Sequence, residues 1–409
     1  MRYCFVFILS IMTLLGSDAT LEVTKTVGTL PKFVIEDGSA VVGSDTQKFH
    51  KMLSADMKVI SLFNVDDSYA SQSFESLNPS STHKDPGYIL RYRLMSDGNG
   101  GYKAEVKLLQ NSLELFNKTY LLKQSEMLVF LSHSIAYDIN AKMGGAPLEW
   151  MKRKVLLVRL SGARRSEIVA ADYTLAYQKV ILSGGMYGFA KWANREQTDF
   201  YYTSLSDFRP TIYKANLATG HKTAITSSDG MAVCSDVSEE GNKLLLTLAP
   251  NGQPDVYLYD LVSKEKKKIT DYSGIDVNGQ FMGQDTIAFV SNRFGNPNIF
   301  SKKIQSSAIN QLVFQGKNNS SFTSHRNLLV YKSRDGAGFD LFLTSLNGNG
   351  TRRLTSSGDN DYPRFSYDGE AVLHIKQEGS KSLVGIIRLG VNRSFSFPLH
   401  VGRIQSLDW

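Results

Sequence analysis

The 409-residue chain is 42% hydrophobic, 11% aromatic and 21% charged, with 33 Gly and only 10 Pro, which excludes a collagen-like, coiled-coil or largely disordered protein. Its 46 basic and 39 acidic residues leave a net charge of +7 spread along the chain, too weak a bias by itself to argue for nucleic acid.

Residues 1–19 read as a secretory signal. Arg2 gives the positive start, Phe5 to Leu15 is an apolar run shorter than the ~20 residues a membrane span needs, and Ser17-Asp18-Ala19 is a small-x-small cleavage site. Cys4 lies inside this signal, so a mature form would keep Cys234 alone and make no internal disulfide. A cysteine-poor exported protein fits a bacterial envelope better than a eukaryotic secretory route. Residues 20–32, polar at first, run into Phe33-Val34-Ile35 and suggest a movable strand. Across residues 20–148 the pattern predicts a small α/β domain. It has a helix over Ser44–Ala55, strands over Met57–Phe63 and Gly87–Leu94, and a hairpin of Tyr102–Leu109 with Leu113–Leu121. A long helix over Gln124–Met143 follows, with Leu128, Leu131, Ile135 and Ile139 on one stripe and Gly144-Gly145 as its stop.

From residue 149 the chain repeats. Ile168, Ile212, Val256, Ile299, Leu341 and Val384 head equivalent short strands, spaced 44, 44, 43, 42 and 43 residues apart. A second series, ending at Ser183, Thr226, Thr270, Val313, Thr355 and Leu399, keeps the same register. A third series of apolar strands (Lys243–Leu248, Thr286–Ser291, Leu328–Ser333, Ala371–Ile375) is entered from Gly, Asn or Asp turns, as in antiparallel hairpins. Units of about 43 residues with about four strands are the size of propeller blades, which bury their faces only by stacking on neighbours. Six of them fill residues 149–409. The predicted fold is therefore an N-terminal α/β domain followed by an all-β, six-bladed propeller.

No catalytic constellation is visible. The seven His form no H-x-x-x-H or H-x-H pair, one thiol cannot make a structural zinc site, and a G-x-S-x-G elbow and a P-loop are absent. Neither a metal nor a cofactor is expected. His133 reads as a packed or capping residue, Cys234 as a small buried apolar one, and Lys264–Lys268 as a solvated turn that blocks edge pairing. Tyr213, Tyr257, Phe300 and Phe342 recur at matching positions and are expected to fill space between blades. Function is then left to the loops that lead from one blade to the next: Ser227–Met231, Asp271–Asp276, Gly316–Ser320 and Ser356–Asp361. The candidate binding residues are Ser228, Asp229, Gly230, Met231, Gly274, Ile275, Asp276, Asn318, Asn319, Asp359 and Asn360.

These motifs resemble one family. Asp359–Gly369 (DNDYPRFSYDG) is similar to the N-x-x-P-x-F-S-x-D-G repeat of TolB-type propellers, and Ser291–Phe300 (SNRFGNPNIF) to their S-D-R-x-G-x-P-x-I-Y turn. Ser132–Ile139 with Met143-Gly144-Gly145 resembles the family's A-H-x-I-x-D…L-T-G helix, and Ala171-Asp172-Tyr173 matches its first blade. The Asp-Gly turn becomes Glu240-Gly241 and Gly283-Gln284 in two blades and is lost at His325-Arg326. The resemblance implies a monomeric, non-enzymatic periplasmic protein of the Tol-Pal system, serving outer-membrane integrity and constriction at division. It would bind the peptidoglycan-associated lipoprotein through the propeller loops and TolA through Leu21, Glu22, Val23, Thr24 and Lys25, with no nucleic acid and no membrane insertion. The competing expectation is a propeller lyase or hydrolase acting on envelope sugars or peptides.

Overall fold

The computed structural model describes residues 20–23 and 30–409 except Ala337 and Asn349, with residues 20–23 and Asp335 through their backbone alone. The predicted signal lies outside the described residues. The first strand, β1 (Thr20–Val23), pairs with a strand near the other end of the chain and is taken up below. The N-terminal domain then runs β2 (Lys32–Asp37), α1 (Ser44–Ile60), β3 (Asn64–Ser71), β4 (Tyr88–Ser96), β5 (Tyr102–Gln110), β6 (Leu113–Leu122) and α2 (Leu128–Lys142). Its sheet has the order β3-β2-β4-β5-β6, with β2 parallel to both neighbours and the rest antiparallel. Phe49, Leu53, Met57 and Ile60 of α1 and Leu128, Leu131, Ile135 and Ile139 of α2 pack on Phe33, Ile35, Leu90, Tyr92 and Val106 of the sheet.

Two expectations change here. Met57–Phe63 is not a strand. Phe49, Leu53, Met57 and Ile60 fall three or four residues apart, so one buried stripe carries α1 through to Ile60, where Ser61 turns left-handed (φ 61°) and ends it. The strand expected there comes immediately afterwards, as β3. Second, Phe33, Val34 and Ile35 are wholly buried in the middle of β2, so nothing from Lys32 onward can move without opening the domain's sheet.

The repeat becomes six four-stranded antiparallel sheets. The first sequence series forms the third strand of every blade, the second series the outermost, and the turn-entered series the second. Some blades lock their outer pair with the residues that ended those series. Thr270 Oγ1 donates to Asp255 Oδ1 (3.1 Å) and accepts from Val256 N (3.0 Å), and Thr355 does the same with Asp340 (2.8 Å) and Leu341 (2.9 Å). Tyr213, Phe300 and Phe342 each lie against an aromatic of the adjoining strand: Tyr202, Phe289 and Tyr331.

Ring closure joins the two ends of the propeller in one sheet. Blade one consists of β7 (Val155–Gly162), β8 (Arg165–Ala171), β9 (Gln178–Gly185) and, innermost, the chain's last strand Arg403–Asp408 paired antiparallel with β7. Blade six carries a fifth strand. β1 pairs antiparallel with the outermost strand Arg393–Leu399, Thr20 opposite Ser396 and Val23 opposite Arg393. Among the described residues no helix is long and apolar enough to cross a membrane.

The alternation of strand directions gives the ring two unlike ends. Turns between second and third strands, and connections from one blade to the next, emerge at one end. The N-terminal domain occupies the other, against blades one and six, and its core is continuous with theirs through Trp150, Tyr173, Phe397 and Leu407. Arg388, at the end of blade six's third strand, donates to the carbonyls of Val59 (3.3 Å) and Ile60 (2.6 Å), which α1 leaves unpaired at its C-terminus. At the centre lies a fully buried polar knot. His133 Nδ1 of α2 is 2.9 Å from Asp56 Oδ2 of α1, and its Nε2 is 3.3 Å from Asp172 Oδ2 after β8, an ion-pair distance rather than an aligned hydrogen bond. Tyr173 stacks on the imidazole and, with Ser132, donates its hydroxyl to Asp56.

Burial alone would lower the pKa of His133, but the flanking Asp56 and Asp172 carboxylates outweigh it and raise it to about 9. A folded value above the ordinary 6.5 makes this contribution complete below about pH 6.5 and loses it as pH rises through about 9. His133→Gln should therefore lower the melting temperature strongly at pH 6, since breaking a buried pair costs about 3–5 kcal/mol. The gap from wild type should then close as pH rises past 9. A gap that stays constant over that range would contradict the assignment.

Candidate functional site

The end of the propeller opposite the N-terminal domain is built from inter-blade connections and second-to-third-strand turns around a central channel. All eleven propeller residues expected from the sequence lie at that one end, eight on the connections and Asp276, Asp359 and Asn360 at the start of the strands they lead into. Burial separates them into two groups. Asp229, Met231, Ile275 and Asp359 are exposed, and Gly230, Gly274 and Asn318 are half-buried. Ser228, Asp276, Asn319 and Asn360 are buried and hold the loops in shape. Ser228 Oγ accepts from Ala249 N (3.1 Å). Asn319 Nδ2 donates to Asn298 Oδ1 and to the Gln315 carbonyl (both 3.0 Å), and Asn360 Nδ2 donates to the carbonyls of Ser357 (3.0 Å) and Phe339 (3.2 Å). Asp276 is wholly buried and takes both of its contacts, at 3.1 and 2.9 Å, from one Arg293 nitrogen. The Arg293 guanidinium in turn lies over the rings of Tyr272, Phe289 and Phe300.

The channel holds a cavity of about 320 Å³ lined by all six blades, with Phe189, Met231, Asn278, Ser321, Tyr362 and Ser406 among its walls. Its charges compensate one another. Lys191 lies between Asp236 (3.3 Å) and Asp408 (3.4 Å), Arg364 Nε is 3.6 Å from Asp408, and Lys332 is 2.6 Å from Asp361. Burial disfavours the Lys191 charge, yet Asp408 and Asp236 together carry its pKa above the ordinary value. Burial pushes the Cys234 thiol up, so it stays protonated and unreactive. Among the described residues no group of three or more His, Cys, Asp or Glu is placed to hold a metal ion.

What the sequence reading missed is apolar. Leu205, Phe208, Met231, Ile275, Phe294 and Phe314 form an exposed series on the turns and connections of blades two to four. Phe208 is 100% exposed, Phe314 81% and Phe294 72%. Only Met231 and Ile275 were anticipated. The signal was present as large apolar residues inside turn segments such as SLSDFRP and NRFGNP, but a turn has no periodicity to flag them. On the N-terminal segment, Leu21, Glu22 and Val23 lie in β1, while Thr24 and Lys25 fall outside the described residues.

Comparison with known proteins agrees with this architecture. Residues 151–409 match the family model of the TolB beta propeller domain. The chain is 42% identical to the Tol-Pal system protein TolB of Campylobacter jejuni, over 99% of this chain and 98% of that protein. It is 38% identical to that of Wolinella succinogenes over the whole of both. The crystal structure of TolB from Acinetobacter baumannii superposes with a TM-score of 0.75 at 21% identity, covering 96% of this chain and 99% of that one.

Asp276→Asn should lower the melting temperature by several degrees, because Arg293 is left half-sandwiched among rings without its counter-charge. Asp229→Asn, which loses an exposed pair with Arg209 (2.9 Å), should leave it unchanged. Equal melting temperatures in differential scanning calorimetry would refute this division between frame and surface.

Proposed function

The chain belongs to the TolB family and is a component of the Tol-Pal system, and from that premise we propose that it is a periplasmic docking protein whose loop end binds the peptidoglycan-associated lipoprotein and whose N-terminal segment binds TolA. The observation that carries this reading is the apolar crescent over blades two to four. A soluble protein keeps large side chains such as Phe208, Phe294 and Phe314 in water when a partner covers them. They ring a channel mouth on a frame of buried Asp–Arg and Asn–carbonyl contacts, so little conformational entropy remains to be lost on binding.

The second half of the proposal rests on β1. It is the outermost strand of its sheet and pairs along one edge only, so it can leave blade six without opening the ring. Two states follow, with the segment seated on Arg393–Leu399 or released for TolA. The lipoprotein shifts their balance if it binds one state better, and TolA must then alter lipoprotein affinity by the same factor. Blade six also carries Arg388, the contact with α1, so the seat of β1 and the domain junction share one sheet. Through this tethering the protein would support outer-membrane integrity and constriction at division. The lyase or hydrolase reading places chemistry in the channel, but each channel carboxylate already faces a cation.

Phe208→Ala, Phe294→Ala and Phe314→Ala combined should weaken binding to the lipoprotein's soluble domain at least tenfold, roughly 1.4 kcal/mol or more, with an unchanged melting temperature. Undiminished affinity in surface plasmon resonance would remove the crescent from the site. Deleting residues 20–29 should abolish TolA capture while the propeller stays folded, and unaltered capture would take that role from the segment.

A further inference from the structure

The loop end is electrostatically lopsided. Around blades five, six and one, Lys317 and Arg164 on connecting turns, and Arg334, Lys381, Arg403 and Arg165 at the strand ends beside such turns or connections, are all exposed. None of the six takes part in an ion pair among the described residues. Glu378 on the same arc is matched by Lys376 (2.8 Å), and Asp340 by Arg353. Among the described residues Asp359 is left as the one exposed acid of this arc outside an ion pair. Over blades two to four most acids are offset instead, with Asp207 taking only the Tyr213 hydroxyl (3.0 Å). Asp229 faces Arg209, Asp271 faces Lys268, and Asp276 faces Arg293, and between them stand the apolar side chains already described. The mouth is therefore half apolar and half cationic.

A six-bladed ring is close to sixfold symmetric, and apolar contact is non-directional, so the crescent alone would not fix how a partner is rotated on the mouth. A one-sided charge would, because like charges brought together cost several kcal/mol and opposite ones steer the encounter. Building on the docking reading above, we infer that the partner is a protein whose docking face joins an apolar patch to an acidic one, the acidic side lying over blades five, six and one. The six cations then set orientation and association rate, while the phenylalanines set residence time.

The test is stopped-flow association with the lipoprotein's soluble domain at low and physiological salt. It uses wild type, the charge-reversed variant Arg164→Glu, Arg165→Glu, Lys381→Glu and Arg403→Glu, and the triple phenylalanine variant. The four charge changes fall at exposed positions on a turn or at the first residue of a strand, and a parallel set of Gln substitutions guards against misfolding. Charge reversal should slow association roughly tenfold or more at low salt and flatten its salt dependence, with dissociation nearly unchanged, and the Gln set should do so by less. If association and its salt slope are untouched while the phenylalanine variant still dissociates faster, the inference is overturned and the docking site stands. If neither variant matters, the docking reading itself fails. If wild type sediments with phosphatidylglycerol vesicles through these same four residues and partner association is unaltered, the cationic arc belongs to a lipid surface and the inference is overturned.

Discussion

Closure of the ring is the constraint on which the rest depends. A single blade exposes both faces of its sheet, and the stack gains its burial only when the last blade meets the first. Here the chain's final strand, Arg403–Asp408, completes blade one by pairing with β7. The same strand fastens the next interface, since Asp408 Oδ2 accepts the backbone N–H of Trp192 in blade two at 2.9 Å. Trp409 then meets Trp150 beneath the ring, ring centres 5.5 Å apart, and so links closure to the seat of the N-terminal domain. With both ends of the propeller held in one sheet, the loops at the opposite end are carried on a frame that cannot open one blade at a time.

The domain junction shows a different economy of forces. An apolar core runs unbroken from the N-terminal sheet into blades one and six, yet at its centre a charged imidazole sits between two carboxylates with tyrosine and serine hydroxyls around them. Such a knot adds less net stability than an apolar plug would, because of the desolvation it requires. It does impose one relative placement of α1, α2 and blade one, since any shift leaves a buried charge unpaired. Together with Arg388 on the carbonyls of α1, it makes the N-terminal domain sensitive to the position of the very blade that seats β1.

Much of this was legible in the sequence because the outer three strands of the blades recur every 42 to 44 residues. The innermost strands were not, for a physical reason. Five of the six carry a bulge, as between Val277 and Gln280 or Asp361 and Arg364, and Phe189, Asn278 and Tyr362 adopt left-handed backbone there, so the period of two is broken where the channel is lined. Met57–Phe63 misled because its β-branched and apolar residues suit a strand locally, while the deciding stripe begins at Phe49, earlier in the chain. In the loops, polarity was taken as a sign of surface. Asp276, Asn319 and Asn360 are polar because buried turn carbonyls and an arginine need partners, and the exposed contact surface is partly phenylalanine.

The account amounts to a rigid ring with one end occupied by its own N-terminal domain and the other left for a partner. Hydrogen-exchange mass spectrometry of the protein with and without the lipoprotein's soluble domain tests this most directly. Slowed exchange confined to residues 205–210, 228–231, 271–276, 292–297 and 314–320, with faster exchange along Arg393–Leu399 or β1 if the segment is displaced, is the predicted result. Protection on the N-terminal domain or the outer strands, with these loops unchanged, would contradict it.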